Sequence, residues 1–501
     1  MCLTEDLVYT RVCILGRLEC RSPLHVGDGT DQAFAERKGR NDSPGLYRAV
    51  CLDADGKPYI PATTLRGHLR DRCATQPAMA DRLFGRLEEA GRVRIFDATL
   101  VASSTCAPGA DRRPYWDPER TTAIQHGIGI NPITGTVGDH LLFRHEIVPE
   151  GARFSLRLEA DDLDQGALAA LLGLLASLDG GPAAAIGRGA SRLQGRLCWT
   201  LDRVDYLNRA ALAAWLDDAD RPLDQAFRTL TSTPAAVPPP LAPGHQIRVR
   251  LRPLGPLLVN EPGLVTEDRR DPGPAAEADE RHDPDLEFSR TPDGHARIPA
   301  SSLRGLLRGR ARRILVTVAA AQSPGCAADQ VGDDLLGRLF GTTGRRGRLW
   351  IGDAVAAQPC DAIEQTFVAI DRFTGGGERH KLYQARAARC GILDADIRLD
   401  TRLGDLADWE KALLLLLARD ALEGDLAAGW GKSRGYGALE VELQQAGTAV
   451  GAWTDPHGKG LLDWIGRRFS LASAQSWVEA LHQEIATAIT ALHPRTAAAP
   501  R

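Results

Sequence analysis

The chain states one pattern twice. Ile60-Pro61-Ala62-Thr63-Thr64-Leu65-Arg66-Gly67 returns as Ile298-Pro299-Ala300-Ser301-Ser302-Leu303-Arg304-Gly305, and each copy precedes an arginine-bearing helical pattern and then a Leu-Phe-Gly. Each half closes on a third echo, Gly187-Arg188-Gly189-Ala190-Ser191-Arg192 in the first and Gly429-Trp430-Gly431-Lys432-Ser433-Arg434 in the second. Three motifs in one order, displaced by 238 to 256 positions, describe a duplicated domain. The spread in displacement places insertions between the motifs rather than inside them.

A chain of 501 residues suits two domains of roughly 200 residues each with connections. Its 43% hydrophobic content is that of a globular protein, and no stretch approaches the roughly 20 apolar residues of a membrane span. Met1 to Leu15 lacks the pattern of a secretion signal, so a cytoplasmic protein is expected. The ten cysteines form no CxxC pair, which argues against zinc knuckles and disulfide frameworks. A net charge of -4 excludes a uniformly basic coat but not a local basic groove, because Arg304, Arg308, Arg310, Arg312 and Arg313 crowd one short helix.

Each half opens on an apolar strand pattern, Val12 to Leu18 or Ile247 to Leu251, and runs into a proline-containing turn and a long polar loop. The IPATTLRG and IPASSLRG segments then read as helix starts with Thr or Ser as N-cap. Gly91 to Ala98 and Gly347 to Ala354 are matching strands. Turn-rich hairpins cover 121 to 147 and 366 to 386, each followed by a helix and the Gly-rich loop. That order predicts an α+β fold with ferredoxin-like or RRM-like units and a hairpin insertion in each. The expected domains are 1–203 and 244–446, a helical and proline-rich linker at 204–243, and a helical tail at 447–501.

A helix N-terminus offers unpaired N–H groups and a positive dipole to a phosphate. Thr63, Thr64, Arg66 and Arg70, and Ser301, Ser302, Arg304 and Arg308, are therefore candidates for phosphate contacts, the alternative being an ordinary capped helix with a solvated basic face. In the closing loops, Gly187, Gly189, Gly429 and Gly431 permit close backbone approach, and Arg188, Arg192, Lys432 and Arg434 supply cations. The alternative is a tight connection with incidental charge. Gly431-Lys432-Ser433 is no P-loop, since Leu426 stands where the first glycine belongs and a strand follows. His25, His126, His140 and His145 lack metal-ligand spacing and read as satisfied structural histidines.

Leu24-His25-Val26-Gly27, the IPxSSLRG-like helix start, the Leu-Phe-Gly, the segment Phe143 to Gly151 and the Gly-rich closing loop together resemble the RAMP backbone subunits of type III CRISPR effector complexes. Both halves carry the resemblance, so the chain looks like a tandem fusion of two such subunits, as in subtype III-D. The resemblance implies RRM-like palms with a thumb hairpin, stacked along a CRISPR guide RNA beside other effector subunits, with no membrane partner. It also implies an RNA-guided endoribonuclease in which a loop aspartate cuts complementary target RNA with the help of a divalent metal such as Mg2+. Asp42, in Asn41-Asp42-Ser43-Pro44, matches the cutting position of the first half, with Asp28 and Asp31 as weaker alternatives; Asp283 and Asp285 share the looser match in the second. A non-catalytic guide-binding subunit is the alternative. The thumbs would place Ile130, Ile133 and Phe373 between bases and Arg372 on phosphates.

Overall fold

Strand β1 (Tyr9–Cys20) shows how the sequence builds each half: Val12, Ile14, Leu18 and Cys20 are buried on one face, while Arg11, Cys13, Leu15, Arg17 and Glu19 lie on the other. In a computed structural model, the structure describes residues 9–34, 45–101, 106, 113, 115–131, 133–179, 185–217, 222–231, 245–261, 284–400, 404–445, 448–451 and 470–492. Residues 1–127 with 143–241 form one compact unit, and 128–142 with 242–501 form the other.

In the first repeat β1 is followed by β2 (Gly27–Phe34), β3 (Gly45–Val50), β4 (Tyr59–Ile60), α1 (Ala62–Arg72), α2 (Pro77–Phe84), β5 (Gly85–Arg86), β6 (Glu89–Ala90), β7 (Val93–Ile95) and β8 (Ala98–Leu100). Then come the long hairpin strands β9 (Ala123–Ile130) and β10 (Val137–Ile147), β11 (Arg153–Leu163), α3 (Gln165–Ala176), β12 (Leu197–Asn208), α4 (Arg209–Leu216) and β13 (Arg228–Thr229). The main sheet runs β13-β12-β1-β11-β8-β4, with β7 also on β11. All these pairings are antiparallel. Its centre is a βαββαβ unit in the order fourth, first, third, second, the ferredoxin-like arrangement.

The second repeat contains β14 (His245–Pro253), β15 (Leu286–Glu287), β16 (Arg297–Ile298), α5 (Ala300–Gln322), α6 (Ala328–Phe340), β17 (Leu349–Ile351) and β18 (Ala354–Ala356). The hairpin β19 (Asp361–Ile370) and β20 (Gly377–Arg389) follows, then β21 (Leu393–Leu399), α7 (Asp408–Leu422), β22 (Leu439–Gln445), β23 (Thr448–Gly451) and α8 (Leu471–Leu492). Its sheet order, β16-β18-β21-β14-β22-β23 with β17 also on β21, reproduces the first strand for strand. No helix among the described residues is long and apolar enough to cross a membrane.

The face of each sheet turned away from the helices is laced with cross-strand ion pairs. Arg11 meets Asp161 at 2.8 Å and Arg17 meets Asp202 at 2.8 Å; in the second repeat Arg248 meets Asp396 at 3.5 Å and Arg250 meets Asp394 at 3.3 Å. Exposed pairs of this kind add little stability, but the opposite charges on directly facing residues, Arg11 and Asp161, Arg248 and Asp396, Arg250 and Asp394, favour the native register.

Two expected boundaries move. The stretch beginning at Val204 is not a linker at its start: β12 continues to Asn208, because Val204 and Leu207 are buried against the first sheet. The tail is not separate either. Leu481, Ile485 and Ala488 of α8 are buried in the same core as α5, α6 and α7, and Arg338 holds Glu484 at 2.6 Å.

The repeated motifs turn out to be a clamp on helix ends. Thr63, Thr64, Ser301 and Ser302 are not N-caps; Pro61 and Pro299 occupy that position and make no side-chain cap. The first helical amides, of Ala62 and Ala300, instead donate to Asp97 Oδ1 and Asp353 Oδ1, each at 2.7 Å. At the other end of the clamp, Arg66 donates to the Phe84 carbonyl and Arg304 to the carbonyls of Phe340 and Leu349. Arg70 and Arg308 reach the carbonyls of Gly85 and Gly341. Leu-Phe-Gly is thus a helix terminus: Leu83, Phe84, Leu339 and Phe340 are core, and Gly85 and Gly341 leave the helix at φ 74° and 87°, where a Cβ would strike the backbone of Gly91 and Gly347.

This clamp should show in stability. Asp353→Ala removes the acceptor of a helix N-terminus and should cost about 1 kcal/mol. Arg304→Ala strands two carbonyls and should cost roughly 1–3 kcal/mol. Arg313, exposed on the same helix, provides the contrast: Arg313→Ala should leave the thermal midpoint unchanged in calorimetry while the other two lower it.

Candidate nucleic-acid interface

Two loops and two hairpins remain once the clamp is accounted for. The Gly-rich loops fold alike in both repeats. Gly187 and Gly429 take φ 76° and 81°, and a Cβ there would meet the His25 carbonyl at 2.3 Å or the Leu258 carbonyl at 2.2 Å. The next amides, of Arg188 and Trp430, donate to those same carbonyls at 2.9 and 2.7 Å. Gly195 and Gly437 donate to Pro23 and Pro256, and Arg192 and Arg434 donate backbone bonds to Gly189 and Gly431, each at 2.7 Å. The close approach that these glycines permit is therefore to the protein's own proline turn rather than to a ligand. What the loops display outward is side chains: Arg188, Lys432 and Arg434 are exposed and Arg192 is half-buried.

The hairpin tips share a motif that sequence reading missed, Asn131-Pro132-Ile133-Thr134-Gly135 against Asp371-Arg372-Phe373-Thr374-Gly375. Asn131 Oδ1 accepts the amides of Ile133 and Thr134 at 2.9 and 3.3 Å, and Asp371 Oδ1 accepts those of Phe373 and Thr374 at 2.7 and 3.2 Å. Gly135 and Gly375 close the turns onto the Asn131 and Asp371 carbonyls at 2.9 Å. An Asx side chain that caps the next two amides leaves the third residue of the motif pointing away. Ile133 is accordingly 75% exposed and Phe373 fully exposed. The structure thus pairs Phe373 with Ile133, and Ile130 with Ile370 further down the strands. Arg372 is exposed beside Phe373.

The arginine-rich helix contributes less charge than its sequence promises. Arg310 is held by Asp420 and Asp425, and Arg312 by Asp329 and Asp333 at 2.7 and 2.9 Å. With Arg304 and Arg308 spent on carbonyls and Asp353 already on the helix N-terminus, this helix start is occupied by the chain itself. The same holds for Arg66, Arg70 and Asp97 in the first repeat, where Arg70 also pairs with Asp81 at 2.7 Å. Arg66, Arg70, Arg304 and Arg308 thus have carbonyl or carboxylate partners within the chain, and Thr63, Thr64, Ser301 and Ser302 are not the caps of their helices.

Of the candidate aspartates, Asp42 and Asp283 lie outside the described residues. Asp285 is exposed at the root of the second hairpin, where its Oδ2 accepts the Gln384 amide at 2.8 Å. The parallel pairings of His145 with Arg48 and of Ala385 with Leu286 align Asp285 with Tyr47, not with Asp42. Asp28 is taken up by the amide and hydroxyl of Thr30, and Asp31 by Arg48 at 3.1 Å.

The hairpin roots differ between the repeats. In the first, His25 Nδ1 bonds the Glu146 carbonyl at 2.6 Å, and the buried Glu146 carboxylate accepts from the Val50 amide at 3.1 Å and the Thr122 hydroxyl at 2.7 Å. His126 accepts from Arg144 at 3.0 Å, and the His140 side chain lies outside the described residues. His145 departs from the expectation of a satisfied histidine: it is 2% exposed, and neither ring nitrogen has a hydrogen-bond partner among the described residues. Burial, followed by the charges of Arg192, His25, Arg188 and His126, pushes its pKa down to about 3. In the second repeat the root is aromatic. Phe367 stacks on Tyr383 at 5.2 Å, Trp430 meets both edge-on at 5.5 and 6.1 Å, and Tyr436 meets Trp430 at 5.3 Å. Arg434 lies over three of these rings, 5.0 Å from Trp430, 5.4 Å from Phe367 and 5.8 Å from Tyr383.

One family model matches the chain, that of the RAMP superfamily, over residues 17–197 and again over 250–440. Each match falls within one of the two repeats, from its first strand to the start of the strand that follows the Gly-rich loop. No curated protein matches this chain.

The His145 environment fixes a pH dependence. A histidine of ordinary pKa 6.5 when unfolded and about 3 when folded binds its proton more readily in the unfolded state. Stability therefore rises with pH through this window and is lost as pH falls below about 6.5, by about 2 kcal/mol at pH 5. His145→Leu should flatten the fall in unfolding free energy between pH 7 and pH 5, measured by denaturant titration at each pH.

Proposed function

The chain belongs to the RAMP superfamily, whose members work with RNA and other subunits in CRISPR-Cas complexes, and from that premise we propose that it is a two-domain backbone subunit of a type III effector. In this reading it is a tandem fusion of the III-D kind, binds the guide RNA along both repeats and cuts the paired target RNA. The observation that carries it is the doubled hairpin: two tips with one hydrogen-bond pattern, each lifting an apolar side chain into solvent. Each hairpin is rooted beside a Gly-rich loop that displays cations.

Such a tip suits insertion between stacked bases, because an apolar residue on a rigid turn loses little entropy when it replaces a neighbouring base. Exposed Arg188, Lys432 and Arg372 suit phosphates, which position an RNA without reading its sequence. Sequence recognition would rest on pairing between guide and target. Beside an unstacked linkage, a carboxylate from the loop that carries Asp42 would orient the attacking 2′-hydroxyl. The expected magnesium ion would share these loops; among the described residues no group of three His, Cys, Asp or Glu stands ready to hold a cation.

One observation speaks against Asp285 as a cutting residue and leaves Asp283 as the candidate of the second repeat. An oxygen of Asp285 already serves the Gln384 amide, a structural duty that holds the loop against the hairpin. In the reconstituted complex, Asp42→Ala should erase one target-RNA product while target binding persists, and Asp285→Ala should leave the products unchanged but destabilise the hairpin root. A complete set of products from Asp42→Ala would remove that residue from the chemistry.

The tips give a separate readout. Phe373→Ala and Ile133→Ala should each restore the reactivity of a paired base at one interruption of the guide–target duplex, read by chemical probing, with thermal stability unchanged. Duplexes that are uninterrupted in the unaltered complex would defeat the reading of the hairpins as thumbs.

A further inference from the structure

The aromatic root of the second hairpin has no counterpart in the first. Aligned through the Gly-rich loops and hairpin strands, Trp430 faces Arg188, Phe367 faces Gly127, Tyr383 faces Phe143 and Tyr436 faces Gln194. Both repeats tie loop to hairpin by a side-chain hydrogen bond, Gln194 to Gln125 at 2.9 Å in the first and Tyr436 to Gln365 in the second. The first repeat therefore achieves the same loop geometry with a glutamine, a glycine and a single ring. The fold alone does not require three half-buried rings and a buried tyrosine at this place.

We propose that Arg434, held among Trp430, Phe367 and Tyr383, is a stacking platform for one unpaired nucleobase, present in the second repeat alone. This deepens the RNA-binding reading above and rests on it. The guanidinium lies within cation–π range of three rings, and one of its N–H groups donates to the Tyr383 hydroxyl. Its orientation is fixed before any ligand arrives, while Arg434 as a residue stays exposed. A planar cation that rings hold in place and that is still exposed can take a second planar group, and a nucleobase is the RNA group that matches a plane of that size and polarity. A phosphate would find the same charge in Lys432 next door without needing a ring beneath it. The platform and Phe373 belong to one hairpin: Arg434 lies by Phe367 and Tyr383 of its two paired strands, and Phe373 is at its tip.

The test compares the full chain with Arg434→Lys, Trp430→Phe and, as the first-repeat contrast, Arg192→Lys. The probe is a single-stranded oligoribonucleotide of about ten nucleotides, within the span that such grooves hold, together with its fully abasic counterpart of equal phosphate count. Stacking predicts that base-bearing RNA quenches a component of tryptophan fluorescence that Trp430→Phe lacks, and that abasic RNA does not. It also predicts that Arg434→Lys, which keeps the charge and loses the plane, narrows the affinity ratio between intact and abasic RNA by roughly 5- to 100-fold. Arg192→Lys should leave that ratio as it was.

Equal quenching in the full chain and Trp430→Phe, or an unchanged ratio in Arg434→Lys, would overturn the platform while leaving RNA binding in place. Failure of the unaltered chain to bind either RNA at low salt would overturn the proposed function and the platform with it. Should Arg434→Lys unfold, the fluorescence comparison between intact and abasic RNA on Trp430→Phe decides alone.

Discussion

The rest of each repeat depends on a helix whose two loose ends are closed by side chains of the same chain. Asp97 or Asp353 takes the first amide of the helix, and the arginine one turn further along takes the last carbonyls of the next helix. These are charge-assisted bonds to groups that would otherwise be stranded at the edge of the core. They fix where the two helices lie on the sheet, and hence where the strand carrying the aspartate meets its neighbours. Because the residues that make the clamp recur in both halves, the halves share one topology despite insertions of different length between the motifs.

With the frame fixed in this way, the hairpin root is free to differ. In the first repeat the position is filled by a buried glutamate, two packed histidines and a network that reaches Arg120 and Tyr47. In the second it is filled by rings and Arg434. Buried polar groups and stacked aromatics solve the same packing problem with different consequences: the first makes stability depend on pH through His145, and the second holds an exposed arginine among rings. Duplication thus supplied two copies of one scaffold with two local chemistries.

Charge follows the same division. Much of the arginine that the sequence concentrates near 304–312 is consumed internally, by carbonyls and by Asp329, Asp333, Asp420 and Asp425. The open sheet faces are likewise paired off. Among the described residues the Gly-rich loops and the second hairpin tip still expose cations, Arg188, Lys432, Arg434 and Arg372. That is compatible with a chain of net negative charge, because a groove needs a local excess of cations and not a global one.

The sequence by itself determined the duplication, the α+β class, the order of elements and the presence of a hairpin in each half. Those properties are set by local periodicity, turn chemistry and repetition, all of which are visible along the chain. It also pointed to Phe373 and Ile133 as hairpin-tip residues, and a comparison of the Asn131 and Asp371 segments contains enough information to align them. Tertiary structure alone decided which partners the helix-start arginines, the loop glycines and the clamp residues Asp97 and Asp353 meet within the chain. Whether Arg304 meets a phosphate or the Phe340 carbonyl depends on a residue 36 positions away, and whether Gly429 makes room for a ligand or for Leu258 depends on a turn from the other end of the domain. The aromatic root is the extreme case: Phe367, Tyr383, Trp430 and Arg434 come from two strands and a loop with no common local pattern, so only folding brings them together.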